Sequence, residues 1–210
     1  MQRSKNIDQT THAGQRGPVE HERREQIIKS ADEHFRTYGY SKTSVSDLGK
    51  AIGVSSAYIY RFFESKQAIG EAVCAMTLSK VIDAIQQISN SDESASNRIR
   101  NVYKTISEQG LNLFFNEKKL HEIAISACEE RWNAVDVYNQ AKLDIIHKII
   151  TDGRSSGEFE RKTPIDEVCI AIFETLQPFA HPILLQQNEP DVLKVHAVAV
   201  SNLVLRSLAP

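Results

Sequence analysis

Apolar residues in this chain recur every three or four positions, the spacing of helices with one buried face, and no segment alternates at a period of two for long. From Glu22 onward, Ile27 and Ile28, Ala31, Phe35 and Tyr38 fall on one face of a first helix, and Gly39 follows as its stop. Val45, Leu48 and Ile52 give a second helix its inner face, and Gly53 ends it. Ser44 opens that helix. Asp47, three residues on, completes a capping box and sets a negative charge at the helix's positive end. Ser55 or Ser56 caps a short third helix that turns Ile59, Phe62 and Phe63 inward. Ser65 and Lys66 begin a fourth, over about 66–88, carrying Ile69, Val73, Met76, Leu78, Ile82 and Ile85. A serine-rich stretch, 89–96, reads as a loop. Further amphipathic helices follow over about 97–115, 117–129 and 131–152, and two more after Pro164 and Pro190. The pattern predicts an all-α chain of about nine helices.

Composition agrees with a globular helical protein. Of 210 residues 41% are hydrophobic and 25% charged, and nine glycines and six prolines are too few for a turn-dense β fold. The longest apolar run of note, 168–173, is far short of the roughly 20 residues that cross a bilayer. Residues 1–8 carry charge with no apolar stretch behind it, so a cytoplasmic protein without membrane contact is expected. The net charge of −2 divides unevenly: residues 1–72 carry +2 and residues 73–210 carry −4. A basic end on an acidic body is the distribution of a nucleic-acid-binding module on a body that does not bind. The expected organisation is a polar arm over 1–20, a helix-turn-helix domain over 21–72 and a helical body over 73–210. Cys74, Cys128 and Cys169 are scattered, with neither disulfide nor zinc spacing.

Two short helices joined by Gly53-Val54-Ser55, with a third beneath them, make a helix-turn-helix. Its second helix must be narrow, polar at its start and firmly braced if its first turn is to enter the major groove. Ser55, Ser56 and Ala57 are small and open that turn, Tyr58, Tyr60 and Arg61 point outward, and Ile59, Phe62 and Phe63 anchor it. Residues 23–73 thereby resemble the DNA-binding domain of TetR/AcrR-type transcriptional regulators. The resemblance is carried by Phe35-Arg36-Thr37-Tyr38-Gly39-Tyr40, Thr43 to Leu48, Gly53-Val54-Ser55, Tyr60-Arg61-Phe62-Phe63 and Ser65-Lys66, in the family's order and spacing. It implies phosphate contacts from Thr43, Tyr60 and Lys66 and a groove-facing start of the recognition helix at Ser56, Ala57 and Tyr58. Ser44, Ser55 and Arg61 complete the expected DNA-facing set. Two departures stand out: Gly49 replaces the commoner alanine, which should loosen the second helix slightly, and Tyr58 is bulkier than the usual residue, so base preference does not transfer.

Two catalytic look-alikes dissolve on inspection. Gly153-Arg154-Ser155-Ser156-Gly157 matches G-x-S-x-G, but a helix precedes it where a nucleophile elbow needs a strand. His121-Glu122 begins a zinc motif whose second histidine is Ile125. No enzyme, metal or cofactor is expected.

The last helix, about 191–208, is apolar on two faces: Val192, Val195, Ala199 and Leu203 on one, Leu193, Ala197, Val200, Val204 and Leu208 on the other. Two stripes mean two partners. The resemblance implies that this helix and the one before it pair with their copies in a homodimer, with Val200 and Val204 expected in the seam. It also implies a mainly apolar effector pocket among helices four to seven, with Tyr103, Phe114, Cys128, Trp132, Tyr138 and Phe173 as candidate lining. The function so implied is a homodimeric repressor on a pseudo-palindromic operator in double-stranded DNA, released by a small hydrophobic or aromatic effector. The alternative is an architectural DNA binder with a solid body and no ligand.

Overall fold

The computed structural model describes residues 16–187 and 189–210, the side chains of 16–18 apart. The described chain is all helix: α1 (Arg16–Tyr38), α2 (Val45–Ala51), α3 (Ser56–Ile59), α4 (Lys66–Ser89), α5 (Ala95–Asn116), α6 (Lys118–Glu129), α7 (Asn133–Ser156), α8 (Ile165–Ala180), α9 (Pro182–Leu185) and α10 (Pro190–Ser207). Helix α1 starts six residues ahead of Glu22, so the expected arm over 1–20 is helical from Arg16, and its residues 1–15 lie outside the described residues. The count exceeds nine by α9. This single turn arises where Pro178 lies inside α8 and Pro182 starts a new helix, with His181 between them accepting the Ile183 N–H on Nδ1 at 3.3 Å.

Two apolar cores hold these helices. The larger joins the end of α4 to α5, α7, α8 and α10 around Ile99, Tyr103, Ile146, Ile149, Leu176 and Leu193. The smaller joins α1 to α4, through Ile27, Phe35, Leu48, Ile59 and Ile69, to Leu120, Ile123 and Ala127 of α6 and to Trp132. The N-terminal helices therefore do not close on themselves. Their core is completed by a helix of the body.

The larger core is bordered by a polar knot. Arg98 is buried and donates to Ser89 O and to Asp152 Oδ2, both at 2.8 Å, while Lys148 donates to the same carboxylate at 2.9 Å. These bonds hold the Asp152 carboxyl below the usual range, the Arg98 donor first among the causes. The decoy serine, Ser155, lies in the last turn of α7 with its hydroxyl donating to Thr151 O, and the helix ends at Gly157 with φ +82°.

Helix α10 treats its two apolar stripes differently. Leu193, Ala197 and Leu208 are buried and Val200 and Val204 pack against the body's own core, whereas Val195 and Leu203 remain 67% and 64% exposed, alongside Val192 and Val198. The outward face is the Val192–Val195–Leu203 stripe. Val200 and Val204 are half-buried against the larger core, and α10 packs chiefly on α5.

Candidate DNA interface and effector cavity

The α2–α3 unit is built from local bonds. The Asp47 N–H donates to Ser44 Oγ at 3.2 Å and the Ser44 N–H returns to Asp47 Oδ2 at 3.0 Å, so the capping box is complete and holds the Asp47 carboxyl below its usual range. Gly53, at φ +71°, turns the chain out of α2. Gly49 does the opposite of loosening. A Cβ there would stand 2.6 Å from Val54 O, and Val54 N–H donates to Gly49 O at 2.8 Å, so the missing side chain is what lets the turn fold back onto α2.

Helix α3 is one α-turn. Ser55 caps it by accepting the Tyr58 N–H at 3.1 Å. Beyond Ile59 the chain continues in tighter turns, with Arg61 N–H on Tyr58 O and Phe62 N–H on Ile59 O at 3.2 and 2.9 Å. Ile59 and Phe63 are buried beneath, and Phe63 carries the Arg24 guanidinium 4.2 Å over its ring. Outward stand Ser55, Ala57, Tyr60 and Arg61, with Ser56 and Tyr58 half-buried. Tyr58 leans on Phe62 at 5.3 Å and lies under the Arg61 guanidinium at 5.6 Å, so its ring is held rather than loose. Lys66 opens α4 with Nζ 4.5 Å from the Tyr40 ring centroid, donating to Ser41 O at 3.4 Å; partial burial lowers its pKa.

Thr43 drops out of the DNA-facing set. It is buried and its hydroxyl proton goes to Gly39 O at 2.8 Å, so it has none left to give a phosphate. Ser44 is exposed, but its hydroxyl donates to Asp47 and thus serves the cap.

A cavity of about 520 Å³ lies in the body, walled by residues of α1 and of α4 to α9. Small-molecule sites are commonly of roughly 300–1,000 Å³. Of the six lining candidates, Cys128 and Tyr138 face it, and burial raises the pKa of both. The other four lie elsewhere. Tyr103 is packed on Phe179 with its hydroxyl shared with Thr175, and borders a separate hollow of about 300 Å³ between α5 and α10. Phe114 stacks edge-on against Phe115 and His121. Trp132 sits in the smaller core, 5.7 Å from Tyr40, its Nε1–H donating to Glu130. Phe173 lies with its ring centroid 4.8 Å from Lys142 Nζ and is not part of the wall.

The wall is also less apolar than expected: Gln109, Asn139, Gln177, His181 and Lys142 share it with Leu78, Val81, Leu113 and Val135. Lys142 is the residue that reading by pattern passed over. It sits four positions after Tyr138 and three before Ile145, on the buried stripe of α7, where a lysine breaks an apolar series and so marks itself. Burial pulls its pKa down to about 8. Cys74, also on the wall, has its thiol pushed up to about 12 by burial, so it is no nucleophile at neutral pH. His121 is buried with Nε2 2.9 Å from Pro182 O, a structural contact. Among the described residues no group of histidines, cysteines and carboxylates has the makings of a metal site.

Residues 27–73 match the family of bacterial regulatory proteins named for TetR, and residues 95–200, half of the chain, match the tetracycline-repressor-like C-terminal domain. The chain belongs to the TetR family. Its fold is similar to that of a TetR-family transcriptional regulator of Pectobacterium atrosepticum, with a TM-score of 0.76 at 19% identity over 92% of this chain and 97% of that one. A transcriptional regulator of Cytophaga hutchinsonii gives 0.71 at 21% identity, over 89% and 98%. At such identities the likeness is one of fold. The nucleoid occlusion factor SlmA of Vibrio cholerae is 31% identical over 85 residues, which cover 40% of this chain and 43% of that protein, less than half its length. Members of the TetR family are DNA-binding transcriptional regulators rather than enzymes, and among the described residues no helix is long and apolar enough to cross a membrane.

Proposed function

We propose that this TetR-family regulator is a dimeric repressor that leaves its operator when a small, largely apolar molecule fills the cavity. The observation that carries this reading is the double use of α6. Leu120 and Ile123 of that helix enter the core of the DNA-binding helices, while Ala124 and Cys128 line the cavity and Ala127 touches both. The last turn of α1 is tied to the start of the same helix by the Arg36–Glu117 ion pair, and Glu117 is the residue before α6. A ligand that displaces α6 therefore displaces α1 and the recognition unit it supports. Release follows if the ligand binds more tightly to the displaced state, and only to the extent of that difference.

In this reading the outward stripe of α10, with Ile170 of α8, meets its copy and sets two recognition units on one face of the duplex. Tyr60 and Lys66 hold phosphates, and Ser56, Ala57 and Tyr58 meet base edges. The architectural reading is weakened by the cavity, since a binder without a ligand has no use for a hollow in its body.

A nuclease footprint on the promoter of its own gene, with and without cell extract, tests the proposal. Two protected half-sites that fade when extract is added are expected. A footprint indifferent to every extract and small molecule tried favours the architectural reading, and no footprint on any selected DNA overturns both.

A further inference from the structure

We propose that the effector is an acid, an apolar body bearing one carboxylate that pairs with Lys142 inside the cavity. The inference rests on the effector-responsive reading above and names its ligand class. Lys142 lies midway along α7, is only 2% exposed, and stands on the cavity wall. Its Nζ is 4.3 Å from the ring centroid of Tyr138 and 4.8 Å from that of Phe173. With the described residues it forms neither a hydrogen bond nor an ion pair.

The two rings attract a cation through their quadrupoles but offer no lone pair in the plane of an N–H bond. The ammonium, with three donors, thus has no hydrogen-bond acceptor among the described residues. A buried ammonium in that condition is costly, and it stays only where a counter-charge or a full set of acceptors compensates it. The stripe it occupies runs Ala134, Ile145, Ile149, all buried and apolar, so packing alone gives no reason for a lysine there.

The carboxylates nearby do not supply the counter-charge. Glu117 is bound to Arg36, Asp136 is exposed, and Glu174, which acts on Lys142 from α8, is exposed and makes no ion pair with it. A ligand carboxylate matches one ammonium in charge and accepts its donors. Leu78, Val81, Leu113, Ala124 and Val135 on the same wall then take an apolar body. A cationic ligand meets a like charge, and a neutral one leaves the ammonium without a counter-charge.

Octanoate, octanamide and octylamine share a chain and differ only in the head, which makes them suitable probes. Calorimetry on the full-length dimer at neutral pH is expected to show octanoate binding at least about 30-fold more tightly than octanamide, with no binding of octylamine, because losing one partner of a buried charged pair costs that much or more. Lys142→Met keeps the length of the side chain and removes the charge. It should melt no lower than the wild type and should bring octanoate down to the octanamide level while leaving octanamide within a few-fold. Equal binding of octanoate and octanamide by the wild type, binding of neither, or a preference that survives in Lys142→Met overturns the acid site, and the first two need no variant.

A gel shift on a duplex selected from random DNA separates this outcome from failure of the underlying reading. Octanoate that binds through Lys142 yet leaves DNA affinity unchanged sinks the effector reading and keeps the acid site. Octanamide that releases DNA as well as octanoate does sinks the acid site and keeps the effector reading.

Discussion

The DNA-binding helices and the body offer two different kinds of candidate surface, one turned to solvent and one folded around a cavity. In the first, Tyr60 and Arg61 stand in solvent while Ile59 and Phe63 brace them from beneath, all within five residues of chain. In the second, the candidate site is the wall of a cavity assembled from α1 and α4 to α9, and no two neighbouring helices make most of it. An outward surface on one short turn is shaped by bonds that span three residues, such as Ser44 with Asp47 and Ser55 with Tyr58. A cavity is where distant helices fail to meet, and no local bond announces that.

The contrast is broken most severely by charging the body's own outward face. Val195→Glu with Leu203→Glu leaves each protomer folded, since both positions are already about two-thirds exposed, but it places carboxylates in the proposed seam, at several kcal/mol if unpaired. Sedimentation should show folded monomers at micromolar concentration, and operator affinity should fall by more than about 100-fold, the equivalent of about 3 kcal/mol. Val200→Glu with Val204→Glu should instead unfold the body, because those side chains pack against its core. A surviving dimer in the first variant puts the seam elsewhere.

Gly49→Ala comes next. Helix propensity alone favours the alanine by about 1 kcal/mol. The added methyl, however, meets Val54 O at 2.6 Å, a backbone atom that moves only if the turn does. A net loss of about 1–3 kcal/mol is expected from such overpacking, read as a lower denaturant midpoint with an unchanged slope. A stabilised variant would mean that the turn yields freely.

On the DNA side the effects are smaller and differ in kind. Tyr58→Ala should lose discrimination at one base pair per half-site, about 1–3 kcal/mol per mismatch. Lys66→Ala should weaken binding to all sequences alike and lower the salt slope by about one per recognition unit, as one counterion-releasing contact disappears. Tyr60→Phe should cost about 1 kcal/mol per unit. Affinities against operator variants at several salt concentrations check all three. Exchanged behaviour of Tyr58 and Lys66 would put the recognition helix in another register.

The smallest effect is set by pH. The Asp152 carboxyl is lowered by Arg98 and Lys148, so it favours the folded state at pH values above the ordinary carboxylate pKa of about 3.9 and loses that contribution as pH falls through its own lower value. Its side chain is 39% exposed, so solvent screens the gain. Thermal melts of Asp152→Asn between pH 6 and 3 should show a shallower acid limb than the wild type.

Much of this was readable beforehand wherever the physics is local. The helix pattern, the Ser44 and Ser55 caps and the Gly53 turn all follow from residue types within one turn of each other. The errors have two causes. Thr43 is a local one: Gly39 O lies four residues back, and the turn at Gly39 brings it within 2.8 Å of the hydroxyl. The others depend on distant packing. The two stripes of α10 were visible, but which one faces out depends on where α5 lies. Trp132 and Phe114 are large aromatics of the middle helices, and large aromatics go first to the places that pack tightly. The wall of a hollow falls instead to residues such as Lys142 that its neighbours leave partly unmatched.

The shared core around α6 has a consequence for how the chain folds. Leu120, Ile123, Ala127 and Trp132 close a core whose other half is Ile27, Phe35, Leu48, Ile59 and Ile69. A fragment ending at residue 72 would stop inside α4 and lay that half-core open to water. The DNA-binding helices are thus a functional unit without being a cooperative folding unit, and heat should unfold them in one transition with α6. Calorimetry of the intact chain against the 1–72 fragment would read this directly, and a chimera that transplants these helices onto another body would have to bring the matching face of α6 with them.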